Sequence, residues 1–311
     1  MLLAHEPGPL CQGGDGWNQD DTFVDMAHYF SKEALRVPRI LVDGRKLGAL
    51  LLEDMGDLAL WHFALGGGGE KAKKVEYELG RDAKTVLFER ALKIISNLQN
   101  CEKREECIAF DRYLGVDDYV EEAMRFVNLY LSEKDLDSSD LTLIVGMIQE
   151  LGERLSAHPK TLIHRDFMAW NIHVVEDARL ALLDFQDALI GSHAYDLVSL
   201  LHDRDIDRAL GDSSCKHLFE VFCQDFKDKE AFSIDYGEAL LQRNLRLAGQ
   251  FRALSQRTGL SIYDSWVPAC LWRIGRVLAC FSQWQEVLDV LKRVDPNVAK
   301  GAEDPLPYIA S

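Results

Sequence analysis

The chain has 311 residues, with 51 acidic against 35 basic side chains and a formal charge of −16. That length can bury a full core, as one large domain or as two lobes, and the acidic balance argues against a nucleic-acid binder, which presents a basic face. No apolar run reaches transmembrane length and no signal peptide opens the chain, while seven scattered cysteines without a C-x-x-C pair support neither a zinc site nor a disulfide frame, so a reducing cytoplasm is expected.

The apolar start Met1–Ala4 leads into the turn-rich Gln12-Gly13-Gly14-Asp15-Gly16. With no clear strand before it and no Lys-Ser/Thr after it, this cluster reads as a loop, not as a phosphate cradle. Phe23, Met26, Ala27, Phe30 and Ala34 recur at helical spacing from Asp21 to Leu35. Val37–Val42 and Leu47–Leu52 read as two strands joined across Asp43-Gly44. Glu53-Asp54-Met55-Gly56 then forms a polar, glycine-containing connector, whose backbone could face an adenine edge or simply turn the chain.

From Asp57 the pattern is mostly helical. A short helix over Leu58–Leu65 ends at Gly66–Gly69, a flexible loop, and Lys71–Leu98 reads as one long amphipathic helix with a solvated lysine face. Further helices are expected near Asp118–Leu131, Leu141–Ala157, Ser192–Leu201, Lys216–Phe226, Tyr236–Gln256 and Trp266–Leu291. The series Trp266, Trp272, Phe281, Trp284 reads as packing, and the tail after Asp295 as a surface strap or frayed end.

Residues 161–187 interrupt this helical region. The apolar run Thr161-Leu162-Ile163 delivers His164-Arg165-Asp166 into a turn, and Asn171 precedes the alternating strand Ile172–Val175. After a turn at Glu176–Arg179, a second strand, Leu180–Leu183, ends in Asp184-Phe185-Gln186-Asp187. Two acids and an amide at the ends of a hairpin suit phosphoryl transfer, which is mostly positioning plus a divalent cation. Asp184 and Asn171 can supply oxygens to Mg2+, leaving Asp166 to accept or orient the proton of an attacking hydroxyl. The spacing H-R-D-x-x-x-x-N followed by D-F matches the kinase signature. A hairpin carrying surface acids is the plainer reading, but it does not explain so many ordered coincidences.

These residues resemble the aminoglycoside phosphotransferase and choline kinase family. Within it, Asp184–Ala188, Gly191, Tyr195–Leu201, Asp203 and the late segment Asn244–Phe251 look most like bacterial N-acetylmuramate/N-acetylglucosamine anomeric kinases of cell-wall recycling. The resemblance implies an α+β, protein-kinase-like two-lobed fold. A small, truncated β-containing lobe would span residues 1–56, and a large, mostly helical lobe residues 57–311, with the catalytic hairpin at 161–187. It further implies ATP and Mg2+ as cofactors, a small-molecule hydroxyl acceptor, and neither a nucleic-acid nor a membrane partner.

By the same resemblance Asp166 is the catalytic base, Asn171 and Asp184 are metal ligands, and Glu53, Asp54 and Met55 face the adenine. Asp196 supports the catalytic loop, His164 is a packed histidine rather than a proton carrier, and Asp203 and Arg204 either meet the sugar or form a solvated helix end. Gln186 in place of the glycine of D-F-G, with no A-P-E, argues against a protein kinase. Met1–Ala4 falls about where the family's third strand, with its phosphate-pairing lysine, would lie, yet has no lysine. Either the chain begins inside a longer reading frame or the nucleotide lobe is degenerate. Met168 and Trp170 are larger than the loop residues of relatives. An aminoglycoside or choline-type kinase, and a catalytically weak pseudokinase or binding module, are the competing readings.

Overall fold

The computed structural model describes residues 2–4, 19–105 and 107–309; the Gln12–Gly16 cluster and Cys11 lie outside them. The chain divides into two compact units, Met1–Tyr113 with Lys160–Leu218, and Leu114–Pro159 with Phe219–Ser311.

The first unit opens with strand β1 (Leu2–Ala4), helix α1 (Gln19–Lys32), and strands β2 (Ile40–Gly44) and β3 (Ala49–Leu52). The three strands form an antiparallel sheet in the order β1-β3-β2. The β2–β3 turn falls at Arg45–Leu47 and closes on Gly48 at φ +69°, later than the Asp43-Gly44 expected. Helices α2 (Leu60–Ala64), α3 (Gly69–Leu79) and α4 (Ala83–Gln99) follow. The single long helix expected over Lys71–Leu98 is thus two, because Gly80 takes φ +84°, which side-chain-bearing residues rarely adopt, and caps α3 through its N–H to Glu76 O.

In the second unit, α5 (Val116–Arg125) runs into a single π turn at Phe126–Tyr130, and α6 (Ser138–Ala157) starts at Asp137, whose carboxylate caps two backbone N–H groups.

The chain returns to the first unit as two small antiparallel pairs: β4 (Lys160–Ile163) with β7 (Leu189–Ser192), and β5 (Ile172–Val174) with β6 (Leu180–Leu182). Strand β7 was not foreseen, and it shortens the helix expected from Ser192 to α7 (Tyr195–Leu201); α8 (Ile206–Leu210) and α9 (Asp212–Phe222) follow. Residues 191–203 are buried without interruption, so no alternation separates strand from helix there.

The second unit resumes with α10 (Lys229–Thr258), α11 (Ile262–Leu278), α12 (Gln285–Val294) and α13 (Pro296–Ala302). The helix expected over Trp266–Leu291 is therefore broken between α11 and α12. The tail is neither strap nor frayed end: Asp295 caps α13, and Leu306 and Tyr308 are buried. A Cβ on Gly275 would lie 2.1 Å from Val298 O, and one on Gly301 2.0 Å from Trp272 O, so paired glycines let α11 and α13 approach backbone to backbone. The six described cysteines are free thiols. No described helix is long and apolar enough to cross a membrane.

Candidate active site

The site residues lie on the ends of the two strand pairs in the first unit. Strand β4 delivers His164 and Arg165 into a turn whose backbone N–H groups donate to the buried Asp196 of α7, at 2.7 and 3.1 Å. Asp196 therefore sets the start of the loop that carries Asp166. Arg165 adopts φ +73°, a conformation uncommon outside glycine, and the two bonds to Asp196 hold it there. His164 is fully buried, with Nε2 3.1 Å from Leu183 O and its ring edge-on to Phe167. Burial pulls its pKa below the usual imidazole range, which fits a packed neutral ring.

The loop closes on itself through Met168 N–H to Asp166 O (2.8 Å) and Asn171 N–H to Met168 O (2.9 Å). Asn171 Nδ2 donates to Asp166 O at 3.0 Å, which turns Oδ1 the other way. The same Nδ2 lies 3.4 Å from Asp184 Oδ2, and Gln186 Nε2 donates to Asp184 Oδ1 at 2.8 Å. Asp184 sits at φ +60°, directing its exposed carboxylate off the end of β6, while the next residue, Phe185, is fully buried. The Asp166 backbone carbonyl, the Asn171 amide and the Asp184 carboxylate thus meet at one end of the hairpin, with the amide nitrogen rather than its oxygen toward Asp184.

The connector Glu53–Gly56 leaves β3 and is held along the outer edge of β5: Val174 N–H donates to Leu58 O (2.8 Å), and His173 Nδ1 lies 2.9 Å from Gly56 O. The Glu53 carboxylate is taken by Arg36 (2.6 and 3.0 Å) and Arg39 (3.0 Å), which, Arg36 foremost, push its pKa down to about 2. Asp54 Oδ1 accepts from Gly56 N–H, and the Met55 side chain is buried. The Glu53 carboxylate and the Met55 side chain are thus engaged within the protein, while Asp54 is exposed. A cavity of about 450 Å³ borders it, lined by Met55, Leu58, Lys71, Val174 and Ala178 among others, but by none of Asp166, Asn171 and Asp184. The cavity lies at the turn end of β5–β6, and the convergent acids lie at the opposite end.

Asp203 is buried and pairs with Arg204 (2.8 Å), whose Nη1 also lies 3.1 Å from Met168 Sδ in the loop. The solvated-helix-end reading of these two does not hold. Trp170, in the turn between Asp166 and Asn171, meets Trp61 and His62 of α2 at ring-centroid distances of 5.0 Å. Sequence reasoning missed Trp61 and His62, and it missed Phe23 and Phe30, which pack on Phe185 from α1. The helical periodicity marked the two phenylalanines as core, but nothing in it named their partner.

The chain belongs to the phosphotransferase enzyme family, whose model matches residues 21–231. Its class is that of the small-molecule kinases. It is similar to an N-acetylmuramate/N-acetylglucosamine kinase of Neisseria meningitidis serogroup B, at 28% identity over 79% of this chain and 71% of that protein. A protein of the same name from Caulobacter vibrioides is 26% identical over 81% of this chain and 68% of that one. Among solved structures, a choline/ethanolamine kinase family protein from Mesorhizobium loti superposes with a TM-score of 0.54 at 11% identity, covering 88% of this chain and 83% of that one. The gentamicin–APH(2″)-IIa complex gives 0.55 at 15% identity, covering 81% and 80%. These likenesses establish a kinase-like fold, mostly helical with small sheets.

Proposed function

We propose that this enzyme transfers the γ-phosphoryl group of ATP to a hydroxyl of an amino sugar, N-acetylmuramate or N-acetylglucosamine, at the anomeric position, in the cytoplasm and in the service of cell-wall recycling. The meeting of the Asp166 backbone, Asn171 and the Asp184 carboxylate at one end of the hairpin supports the phosphotransfer reading. The relatives' names support the acceptor.

In this reading residues 1–56 form the nucleotide lobe and residues 57–311 the larger lobe. Asp166 accepts or orients the proton of the acceptor hydroxyl. The Asp184 carboxylate and Asn171, with its amide turned over so that Oδ1 faces that carboxylate, would hold Mg2+, which neutralises charge on the phosphates. Gln186 fixes the Asp184 carboxylate in advance. The backbone of Glu53–Met55 pairs with the adenine edge, while the Glu53 side chain braces the connector. Asp203 and Arg204 stand on the acceptor side, against Met168.

A second reading, a nucleotide-binding module of weak turnover, is favoured by one feature: strand β1, Leu2–Ala4, pairs with β3 and carries no lysine. The test is magnesium-dependent ADP release with N-acetylmuramate, N-acetylglucosamine, other hexoses, an aminoglycoside and choline, using Asp166→Ala as the blank. Turnover with the N-acetylated sugars alone supports the proposal. Turnover with only the aminoglycoside or choline moves it to those acceptors, and silence throughout favours the binding module.

A further inference from the structure

We propose that Trp170 is the platform on which the acceptor ring stacks, and that Arg204, seated against it, restricts the acceptor to neutral or anionic pyranoses. This deepens the sugar-kinase reading and rests on it.

Tryptophan is on average among the most buried side chains, yet Trp170 is 44% exposed, in the turn between Asp166 and Asn171. Its ring is not loose. Trp61 and His62 approach it at 5.0 Å with interplanar angles of 63° and 55°. Such tilted contacts fix a ring's orientation. A fixed, half-exposed indole within the catalytic turn offers an apolar surface, with the C–H groups of a pyranose as its natural complement.

The same surface would also suit a cation, as aromatic cages do. Here a cation already stands beside the ring. The Arg204 guanidinium carbon lies 5.8 Å from the Trp170 centroid, inside the cation–π range. It is anchored by buried Asp203 at 2.8 Å and by Met168 Sδ at 3.1 Å. Arg204 holds φ +47°, a backbone conformation uncommon for a side-chain-bearing residue. A quaternary ammonium or a polycationic aminocyclitol on the exposed part of the ring would lie near this guanidinium, and like charges repel. A neutral N-acetylated sugar does not meet that penalty, and a carboxylate on the ring would be attracted.

Steady-state kinetics test this with Trp170→Ala, Trp170→Phe and Arg204→Met, using N-acetylglucosamine and glucosamine as a neutral and cationic pair. Trp170→Ala is expected to raise KM for the neutral sugar by about tenfold or more while KM for ATP stays within about twofold, and Trp170→Phe to recover most of the loss. Arg204→Met is expected to narrow the neutral-over-cationic preference in kcat/KM. A sugar KM unmoved in Trp170→Ala, or a preference unmoved in Arg204→Met, overturns the inference while leaving the sugar-kinase reading intact. Absence of turnover with any pyranose in the unaltered enzyme overturns both.

Discussion

The ring of Phe185 stacks on that of Phe23 with centroids 4.8 Å apart and planes 26° from parallel. Phe30, two turns further along the same helix, meets Phe185 edge-on at 5.6 Å. The residue after Asp184 is thereby clamped by α1, a helix far from it in sequence.

That clamp predicts a joint loss. Phe185→Ala removes a fully buried ring and is expected to destabilise the protein by about 3–5 kcal/mol. Phe23→Leu, which keeps most of the apolar volume, is expected to cost under about 1.5 kcal/mol yet to lower kcat by loosening Asp184. Denaturant unfolding together with ADP release separates the two effects. Unchanged kcat in Phe23→Leu would mean that Asp184 is positioned without the stack.

The donor pair predicts how magnesium dependence divides. Asp184→Ala is expected to lower turnover by about 10²–10³-fold at any Mg2+ concentration. Asn171→Ala is expected to raise the Mg2+ concentration needed for half-maximal rate, because one oxygen donor is lost and the carboxylate is kept. Magnesium titrations of ADP release measure both, and full turnover in Asp184→Ala would remove that residue from the metal site.

Asp196→Asn preserves shape but places an amide where two backbone N–H groups now find oxygens. Losing a charged acceptor is expected to destabilise by about 1.5–3 kcal/mol and to reduce kcat through the turn that holds Asp166. Thermal melting and kcat on the same preparation check it. A variant with unaltered melting and rate would show that the turn stands without Asp196.

The ion pairs of Glu53 set an acid limb. Its folded pKa of about 2 lies below the ordinary 4.5, so its contribution to stability is fully present above about pH 4.5 and is lost as pH falls toward 2. Glu53→Gln is expected to melt below the unaltered protein at pH 7, with the gap closing between pH 4.5 and 2. Melting temperature against pH for both proteins is the measurement, and a gap that does not depend on pH would detach Glu53 from the limb.

Much of the site was legible because its residues are close in sequence: the turn at Asp166, Asn171 and the hairpin to Asp184 span few residues and carry strand alternation between turn signals. The packing around it was not. Phe23 meets Phe185 and Trp61 meets Trp170 across more than a hundred residues, and periodicity gives a residue's face but not its partner. Strand β7 was hidden because residues 191–203 are buried on every side. The break at Gly80 was legible in principle, since a glycine within a helical pattern marks a stop when the chain needs positive φ. The ion pairs of the Glu53 side chain were not legible, because Arg36 and Arg39 become its partners only once β2 and β3 pair.

The central claim, phosphoryl transfer from ATP to a sugar hydroxyl through Asp166, is tested most directly by 31P NMR of the products formed with N-acetylmuramate or N-acetylglucosamine and Mg2+. The account predicts a sugar 1-phosphate accumulating with ADP in the unaltered enzyme, and a rate lower by about 10²–10⁴-fold in Asp166→Ala. Inorganic phosphate as the sole phosphorus product besides ADP, or sugar phosphate forming equally fast in Asp166→Ala, would contradict it.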